Sequence, residues 1–325
     1  MDTIPISKEH RPMDQEIMVS IICNAYNHEK YIASALEGFV MQQTSFPFEI
    51  LVHDDASTDA TADIIRSYEE KYPQLFRVLY QKENQYSRGG AITRRFQIPR
   101  ARGKYLAICE GDDYWTDPKK LQKQFDAMER HPEVDMCAHG STVVSGGETV
   151  SKVNRGEAEC VFDLPTVIEG GGSFVSTATL FYRKAIEDAG LPPFRQIISF
   201  DYTIQIHGAL RGGLLYLPDD MSVYRRATEN SWTVRMRKDS GKSAAHRRRV
   251  AAMLEQLDVD TDHRYTDVIR KKLRSVTFRL NYLEGNYRAL LSREYQEEFR
   301  KNTVKKRLYI LLMAALSVFM KSKSQ

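Results

Sequence analysis

The 325-residue sequence lacks the short motifs by which zinc proteins, disulfide-rich proteins and secreted proteins are usually recognised. Its eight histidines form no HExxH pair and its four cysteines have no CxxC or zinc-finger spacing, so we expect no zinc site. We expect the cysteines to be reduced thiols in a cytosolic protein: Cys23, Cys109, Cys137 and Cys160. The beginning of the chain is polar and has no apolar centre, so we predict a leader over residues 1–16 and no signal peptide.

Glycine-rich phosphate-binding loops are also missing. No GxGxxG motif follows the first predicted strand, where the sequence reads Cys23-Asn24-Ala25-Tyr26-Asn27, and this argues against a nicotinamide-dependent oxidoreductase. The Gly-rich loop with Arg and Lys that opens sugar-nucleotidyltransferases is not found at this position either. No recognised nucleic-acid-binding module is visible, so we expect no nucleic-acid partner.

Charge is present in ordinary amount but is unevenly distributed. Hydrophobic residues make up 42% of the chain and charged residues 28%, as in soluble globular proteins. The net charge of +4 is the balance of two opposite parts, because residues 236–325 carry a net +11 and the first 235 residues a net −7. This asymmetry indicates that the basic part has an anionic partner surface.

Short apolar runs alternate with helical patterns and predict an α/β fold. We predict helices that start near Asn27, near Asp59 and at Asp117-Pro118, and a flexible loop over residues 170–173. Beyond Arg235 the pattern is helical and basic. The predicted strands are residues 18–23, 48–52, 75–80, 104–109, 134–144, 178–183, 214–217 and 222–226. Strands that alternate with helices imply a mostly parallel sheet.

Acidic residues follow two of the predicted strands directly. Asp54 and Asp55 follow residues 48–52, and Glu110, Asp112 and Asp113 follow residues 104–109. Clustered carboxylates repel one another and lose hydration on burial, unless a cation neutralises them. Their hard oxygen ligands suit Mg²⁺ or Mn²⁺, and a metal held in this way usually also binds a diphosphate. The pattern therefore predicts a site at the carboxyl edge of the sheet.

Four segments, in this order along the chain, resemble the motifs of family 2 glycosyltransferases, which adopt the glycosyltransferase-A fold. Residues 19–27 resemble the opening strand that ends in Tyr-Asn, and residues 52–59 resemble the Asp-Asp-Gly-Ser-Thr-Asp turn. Residues 101–105 and 110–115 resemble the Ala-x-Gly-x-Tyr and Asp-x-Asp-Asp-x-Trp motifs. The resemblance covers residues 18–135 well and 136–232 fairly.

The resemblance implies a catalytic domain and a division within it. We expect a catalytic domain over residues 17–235, with a nucleotide-sugar-binding half at 17–135 and an acceptor half at 136–235. A basic helical region would follow at 236–325. The implied enzyme is a hexosyltransferase-type glycosyltransferase of bacterial polysaccharide or glycolipid synthesis. It would use Mg²⁺ or Mn²⁺, a nucleotide-sugar donor such as a UDP-sugar, and a glycan or lipid-linked acceptor.

Roles for single residues are likewise implied by the resemblance. Asp112 would bind the metal, and Asp201 would be the base that activates the acceptor hydroxyl for an inverting transfer. Tyr26 would stack on the base, and Asp54 or Asp55 would accept hydrogen bonds from the base or ribose. The residues expected to contact the donor are Ala25, Tyr26, Asn27, Asp54, Asp55, Arg94, Glu110, Gly111 and Asp113. Arg88 and Arg95 are further candidates for phosphate contacts.

Several of these residues have a structural alternative. Tyr26 could belong to the core, Asp54 and Asp55 could form an Asx-turn, and Asp201 could cap a surface helix. We interpret Arg100 and Arg102 as solvated surface. Trp115 is interpreted as packing beneath the acidic loop, and Trp232 as lining the acceptor groove.

The sequence also departs from the family pattern. Glu110 stands where Asp is common, Ala56 and Gln97 replace glycines, and Arg226 and Ala227 stand where a histidine often follows Tyr224-Arg225. The alternatives to an active transferase are an inactive nucleotide-sugar-binding protein and a sugar-nucleotidyltransferase.

The end of the chain contains an uncharged run over residues 308–320. As a helix it extends roughly 20 Å at about 1.5 Å per residue, too short for a hydrocarbon core of about 30 Å. Lys305-Lys306-Arg307 precede it, and Lys321 and Lys323 follow. It either packs on protein or lies on a membrane surface, and we favour peripheral association with the inner face of the plasma membrane.

Overall fold

The computed structural model describes residues 16–198, 200–229 and 231–322. The described residues form two compact units, one of residues 16–191 and 200–228 and the other of residues 192–198, 229 and 231–322. The predicted leader lies outside the described residues, except for Glu16. The proposed division of the first unit into donor and acceptor halves stays a prediction.

The first unit contains ten strands and six of the helices. The strands are β1 (Val19–Ala25), β2 (Phe48–Asp54), β3 (Phe76–Tyr80), β4 (Tyr105–Ile108), β5 (Tyr114–Trp115), β6 (Met136–Ser145), β7 (Glu148–Val153), β8 (Cys160–Phe162), β9 (Phe181–Arg183) and β10 (Leu214–Arg225). The α-helices are α1 (Ile32–Val40), α2 (Thr61–Lys71), α3 (Lys120–Arg130), α4 (Leu164–Gly170), α5 (Ala185–Asp188) and, after the excursion into the second unit, α7 (Asp201–Ala209).

These strands form one sheet in the order β3-β2-β1-β4-β9-β6-β10-β5, with β7 beside β6 and β8 beside β10. The longest pairings are parallel and join β1 with β2 and β6 with β10. Strands β5, β7, β8 and β9 are short and pair antiparallel. The predicted α/β fold, with a mostly parallel sheet between helices, is confirmed.

The core lies where α1 packs against the sheet and beneath the acidic loop. Ile32, Leu36 and Phe39 are buried on one face of α1, as their spacing predicts. Trp115 is also buried, its ring centre lies 4.9 Å from that of Phe39, and its Nε1 donates to the Ala178 carbonyl at 2.9 Å. Trp115 therefore anchors the end of the acidic loop in the core, as the sequence suggests.

Three local predictions are wrong. Asn27 does not cap α1, which begins at Ile32; it has a φ of 55° and its side chain accepts from the Thr58 amide. Residues 170–173 are not a loop but the end of α4 and a 3₁₀ turn. The strands predicted at 214–217 and 222–226 are one strand, β10, with register shifts between Leu217 and Ser222. The irregularity in β10 explains why its pattern is interrupted.

The second unit is helical. Its helices are α6 (Pro193–Ile197), α8 (Trp232–Lys238), α9 (Ser240–Asp260), α10 (Thr266–Leu283), α11 (Gln296–Arg300) and α12 (Val304–Ser322). Helices α9 and α10 pack against each other, and Ile310 of α12 is buried in a small core with Phe278, Leu290 and Tyr295. Within the described part of the chain, no helix is long and apolar enough to cross a membrane.

Candidate active site

The carboxyl ends of β1, β2 and β4 meet at one edge of the sheet. Strand β1 lies between the other two, with Ala25 opposite Asp54 and Ile22 opposite Ile108. The acidic residues after β2 and β4 are therefore brought to the same edge, as expected for parallel strands.

The loop after β4 depends on a glycine. The Gly111 amide donates to the Asn24 carbonyl at 2.9 Å, which ties the loop to the end of β1. A Cβ atom at position 111 would lie 2.8 Å from His28 Nδ1 and 2.9 Å from Ile32 Cδ1. A side chain at position 111 would force His28 and Ile32 to shift and would lie 3.2 Å from the Asn24 carbonyl oxygen, so glycine lets the loop stay against the end of β1.

Asp112 and Asp113 have different environments. Asp113 is buried, and burial followed by the charge of Asp112 raises its pKa well above the usual value. Its Oδ1 accepts from the Arg225 amide at 2.8 Å. Asp112 is only partly buried, and its Oδ2 accepts from the Thr228 hydroxyl at 2.9 Å. Asp113 thus supports the loop, and Asp112 is the more accessible of the two.

Glu110 completes the acidic cluster. Its Oε1 accepts a long hydrogen bond, 3.4 Å, from Asn24 Nδ2. Its pKa is raised to about 7, first by burial and then by the negative charges of Asp112 and Asp201. Asp201, 91 positions further along the chain, is therefore close enough to Glu110 for their charges to interact.

Arg225 and Thr228 are site residues that sequence reasoning missed. Arg225 Nη1 donates to the Asp112 carbonyl at 3.0 Å, and its Nη2 donates to Ser34 Oγ at 3.1 Å. Its guanidinium also lies 4.3 Å from the centre of the Tyr114 ring. These residues lie in the region in which the family pattern often has a histidine. The missing histidine was the one sequence feature that could have pointed to this region as part of the site.

Asp201 is the first residue of α7. Its Oδ1 accepts from the Tyr202 amide at 2.7 Å, and its Oδ2 accepts from the Thr177 hydroxyl at 3.2 Å. Burial raises its pKa. A carboxylate near Glu110 that binds protons more readily than usual is suited to act as a general base. This environment favours the base role of Asp201 over the alternative of a solvated helix cap.

The expected base-binding residues divide into two groups. The Tyr26 side chain is 38% exposed, so the core alternative is wrong for it. Asp54 is buried; its Oδ2 accepts from the Ser57 amide at 3.2 Å, and its Oδ1 has no hydrogen-bond partner among the described residues. Asp54 and Tyr26 therefore have groups available to a ligand.

The other expected donor-binding residues, Asp55, Asn27 and Ala25, form hydrogen bonds to the surrounding loops. Asp55 accepts from the amides of Gln85 and Tyr86, at 2.7 and 3.0 Å. Asn27 Oδ1 accepts from the Thr58 amide at 2.8 Å, and Ala25 is buried with its carbonyl bonded to the Asp55 amide. These three residues shape the site through the backbone.

The arginine-rich segment before β4 is partly structural. Arg94 is exposed in a short π-helix, Thr93–Gln97, next to Thr93, whose hydroxyl accepts from Asn24 Nδ2 at 2.9 Å. Arg102 pairs with buried Glu49 at 2.8 Å, and Arg100 donates to the Arg77 carbonyl at 2.8 Å. The interpretation as solvated surface is confirmed for Arg102, whose side chain is 50% exposed while it pairs with Glu49, whereas Arg100 is partly buried.

His28 is another residue that the sequence did not single out. Its Nδ1 is buried beside Gly111 and has no hydrogen-bond partner in the described structure. Burial lowers its pKa despite the opposing charge of Asp112. A neutral imidazole beside the acidic loop is available to accept or donate a hydrogen bond.

The acidic cluster fits a divalent cation whose coordination is completed by the phosphates of a bound substrate. In the described ranges, no three His, Cys, Asp or Glu side chains are grouped closely enough to form a metal cage by themselves. Burial, and after it the negative charge of Asp112, raises the pKa of Glu110, and a bound cation would relieve this repulsion. Mg²⁺ and Mn²⁺ are often bound through one or two carboxylates together with substrate phosphates.

Comparison with known proteins agrees with the sequence motifs. The model of the family "Glycosyl transferase family 2" matches residues 20–227. An uncharacterized protein of Mycobacterium bovis is 37% identical over 221 residues, which are 66% of this chain and 60% of that protein. The chain thus spans about 60% of the length of such curated relatives. The Escherichia coli UDP-Glc:alpha-D-GlcNAc-diphosphoundecaprenol beta-1,3-glucosyltransferase WfaP is 37% identical over 112 residues, 34% of this chain and 41% of that protein.

Two solved structures are similar in fold. Staphylococcus aureus TarS 1–349 in complex with UDP-GlcNAc has a TM-score of 0.57 and 19% identity, over 91% of this chain and 79% of that one. The mannosyltransferase PcManGT from Pyrobaculum calidifontis, in complex with GDP-Man and Mn²⁺, has a TM-score of 0.53 and 15% identity, over 97% and 86%.

Proposed function

The chain belongs to glycosyl transferase family 2 and has the predicted glycosyltransferase-A fold, and we propose that it transfers a sugar from a nucleoside-diphosphate sugar to an acceptor hydroxyl with inversion. The observation that carries this proposal is that Asp201 of α7 lies near the loop after β4, where Glu110 and Asp112 lie; after burial, the charges of Asp112 and Asp201 both raise the pKa of Glu110. Burying Glu110 close to other carboxylates costs stability, and a bound cation and substrate would offset that cost.

The donor site lies along the ends of β1 and β2. The exposed ring of Tyr26 would stack on the base, and the free Oδ1 of Asp54 would accept a hydrogen bond from the base or ribose. Arg94, which is exposed beside Thr93, would contact phosphate. We favour a UDP-sugar with a hexosyl group, on the likeness to TarS in complex with UDP-GlcNAc.

A divalent cation would be held by Asp112, with Glu110 beside it. When bound, Mg²⁺ or Mn²⁺ supplies charge neutralisation for the departing diphosphate. Arg225 positions this site, because it bonds the Asp112 carbonyl and caps Asp113 through its amide.

Asp201 would act as the base. Its carboxylate takes the proton of the acceptor hydroxyl, and the oxygen attacks the anomeric carbon as the bond to the diphosphate oxygen breaks. Attack opposite to the leaving group inverts the anomeric centre, and the nucleoside diphosphate leaves with the bonding electrons. The raised pKa of Asp201 favours this proton transfer, because a more basic carboxylate is a better acceptor.

The acceptor proposed here is a glycan or a lipid-linked glycan of bacterial polysaccharide or glycolipid synthesis. The support is the E. coli relative, whose name describes an acceptor linked to diphosphoundecaprenol. An acceptor of this kind is presented at a membrane surface, and the exposed apolar face of α12 would lie on it.

The test is donor turnover by the full chain. We expect hydrolysis or transfer of a UDP- or GDP-sugar in the presence of Mg²⁺ or Mn²⁺, and its loss with EDTA. Asp112→Asn should lower turnover by at least about 100-fold without changing the melting temperature, because the side chain is only partly buried. Asp126→Asn, an exposed aspartate on α3, is the matched control and should behave as the wild type. Near-normal turnover by Asp112→Asn would exclude the metal role.

The same assay decides the alternative of an inactive binding protein. Glu110, in place of the common Asp, is the observation behind that alternative. A protein that binds UDP-sugars with Mn²⁺ in calorimetry but turns none of them over, with any acceptor fraction, would be a binding protein.

A further inference from the structure

The helical unit contains a cleft that none of the residues given a role under the proposed function lines. Trp232, which we interpreted from the sequence as lining the acceptor groove, lies in this cleft. The cleft lies among α8, α9 and α10 and has a volume of about 340 Å³. This is within the range of about 300–1,000 Å³ usual for small-molecule sites. The residues of interest in its lining are Trp232, Arg237, His246, Arg247, Arg279 and Leu283.

Three arginines, one from each helix, line this cleft. Arg237 lies on α8, Arg247 on α9 and Arg279 on α10, and no described lining residue is Asp or Glu. Burial and then the charge of Arg279 lower the pKa of Arg247. Like charges brought together without a counter-charge destabilise the fold, so the arrangement fits an anion that pairs with them.

Arg247 offers an unused donor in this cleft. Its Nε is buried and has no hydrogen-bond partner in the described part of the chain. A buried donor without an acceptor costs free energy of about 1–3 kcal/mol. Lys306 lies near enough to Arg279 for their charges to interact, since burial and then the charge of Arg279 lower the pKa of Lys306.

The remaining lining is aromatic and apolar. The Trp232 ring packs edge-on against His246, with ring centres 4.9 Å apart, and Trp232 stays 43% exposed. Burial, and then the charges of Arg247 and Arg249, lower the pKa of His246 to about 4, so it is neutral at pH 7. Leu283 supplies further apolar surface. The cleft thus combines a cationic part with a flat hydrophobic wall.

We propose that this cleft binds the phosphate or diphosphate group of an anionic ligand whose adjoining apolar part covers Trp232. Guanidinium groups match phosphate oxygens with two parallel hydrogen bonds, and three arginines line this cleft. The ligand is either a soluble phosphate ester or a phosphorylated lipid headgroup. The proposal does not depend on the transfer reaction, because it uses residues of the helical unit only.

Trp232 is a built-in reporter for the test. The chain has two tryptophans, and the other, Trp115, is buried. Tryptophan fluorescence of the full chain is titrated with inorganic pyrophosphate in EDTA, which prevents metal-dependent diphosphate binding at Asp112. A second titration uses phosphatidylcholine vesicles with and without phosphatidic acid. We expect a saturable change that Trp232→Phe abolishes.

The arginines are tested against a matched control. Arg247→Gln and Arg279→Gln should each weaken binding by at least about 10-fold, as expected for loss of a charge-assisted hydrogen bond of about 1.5–3 kcal/mol. Arg270→Gln removes the same charge from an exposed position of α10 and should change binding less than about twofold. Should Arg247→Gln fail to fold, Arg247→Lys keeps the charge but loses the planar fork, and it should also weaken binding.

The outcomes separate the sources of the ligand. Arginine-dependent binding of pyrophosphate supports a soluble phosphate ester, and arginine-dependent binding of phosphatidic acid vesicles alone supports a lipid phosphate. No saturable change in either titration overturns the proposal. So does an equal loss in the Arg247, Arg279 and Arg270 variants, because it would indicate attraction by net charge only.

Discussion

Arg225 shows how a single residue organises the acidic loop. Its amide bonds Asp113, while its guanidinium bonds the Asp112 carbonyl and Ser34. The neighbouring Thr228 hydroxyl donates to the Asp112 carboxylate. Backbone and side chain of one residue thus hold both aspartates, so a substitution at position 225 should change the proposed metal binding at Asp112.

Replacing Arg225 with Lys should lower both metal affinity and turnover. Lysine keeps the charge but cannot make the two Nη hydrogen bonds, and we expect a loss of about 10- to 100-fold in turnover at limiting Mn²⁺. A Mn²⁺ titration of donor turnover measures this. Arg226→Lys, next in sequence and exposed, is the control. Identical Mn²⁺ dependence of the two variants would contradict the positioning role.

Asp201→Asn should separate binding from chemistry. Donor affinity should be retained, whereas transfer should slow by about 100- to 10,000-fold, because the proton is removed only in the transition state. Calorimetry with donor and single-turnover transfer measure the two quantities. Asp188→Asn, exposed and paired with Lys184, is the control. Loss of donor affinity with normal transfer of bound donor would make Asp201 a donor-site residue.

At the scale of elements, β2 and β10 build the site from opposite parts of the sheet. Strand β2 ends in His53 and Asp54, and β10 brings Arg225 to the loop through its antiparallel pairing with β5, where Val223 lies opposite Tyr114. Strand β10 also pairs in parallel with β6. The path of one irregular strand therefore decides which residues face the acidic cluster.

His53 on β2 predicts a pH dependence of stability. It is buried, its ring stacks on Phe96 with centres 5.3 Å apart, and its Nε2 lies 3.1 Å from Gln81 Nε2. Burial lowers its pKa to about 4, although Asp55 raises it and Arg100 lowers it further. The unfolded value is about 6.5. Because the pKa of His53 is lower in the folded than in the unfolded protein, neutral His53 contributes its full stability above pH 6.5. This contribution is lost as the pH falls toward 4.

Between pH 7.5 and pH 5, the wild type should lose about 1–2 kcal/mol more free energy of unfolding than His53→Gln does. Glutamine does not titrate and keeps a polar group near Gln81. Urea unfolding of both proteins at the two pH values measures the difference, and the comparison cancels the contributions of other groups. Parallel pH profiles would show that His53 does not carry the effect.

At the scale of the whole molecule, charge and apolar surface are concentrated in one part. Residues 236–325 carry the net +11, and the exposed apolar side chains of α12 recur at helical spacing. These side chains are Val304, Leu308, Tyr309, Leu311, Leu312 and Leu316. Ile310 and Ala314 are buried instead, so one face of α12 packs within the helical unit. Packing on protein thus accounts for one face of α12, and membrane association stays a prediction for the exposed face.

Membrane association is tested by changing the exposed face only. Leu308 and Leu312 are 61% and 58% exposed, so Leu308→Glu with Leu312→Glu should leave the fold intact. We expect this double variant to lose co-sedimentation with anionic vesicles by at least about 10-fold. Val259→Glu, 55% exposed on α9, should bind as the wild type does. High salt should weaken wild-type binding, and equal sedimentation of all three proteins would refute membrane docking.

Much of the fold followed from local pattern. The first four strands lie within two residues of the predicted ends, because short apolar runs bounded by polar residues report burial directly. The acidic residues at two strand ends were brought together, since parallel strands that share a sheet end at the same edge. The position of Glu110, Asp112 and Asp113 therefore needed no knowledge of distant contacts.

Only the tertiary structure decided how the acidic cluster is held. Arg225 reaches Asp112 from 113 positions away, through strand pairings that no local pattern contains. The sequence alone also could not distinguish the roles of Asp54 and Asp55. Asp54 Oδ1 has no hydrogen-bond partner among the described residues, whereas both oxygens of Asp55 accept from the amides of Gln85 and Tyr86. Hydrogen bonds between distant segments depend on register and on loop paths. The chain specifies these through its whole packed core, so the residue pattern of a single segment does not reveal them.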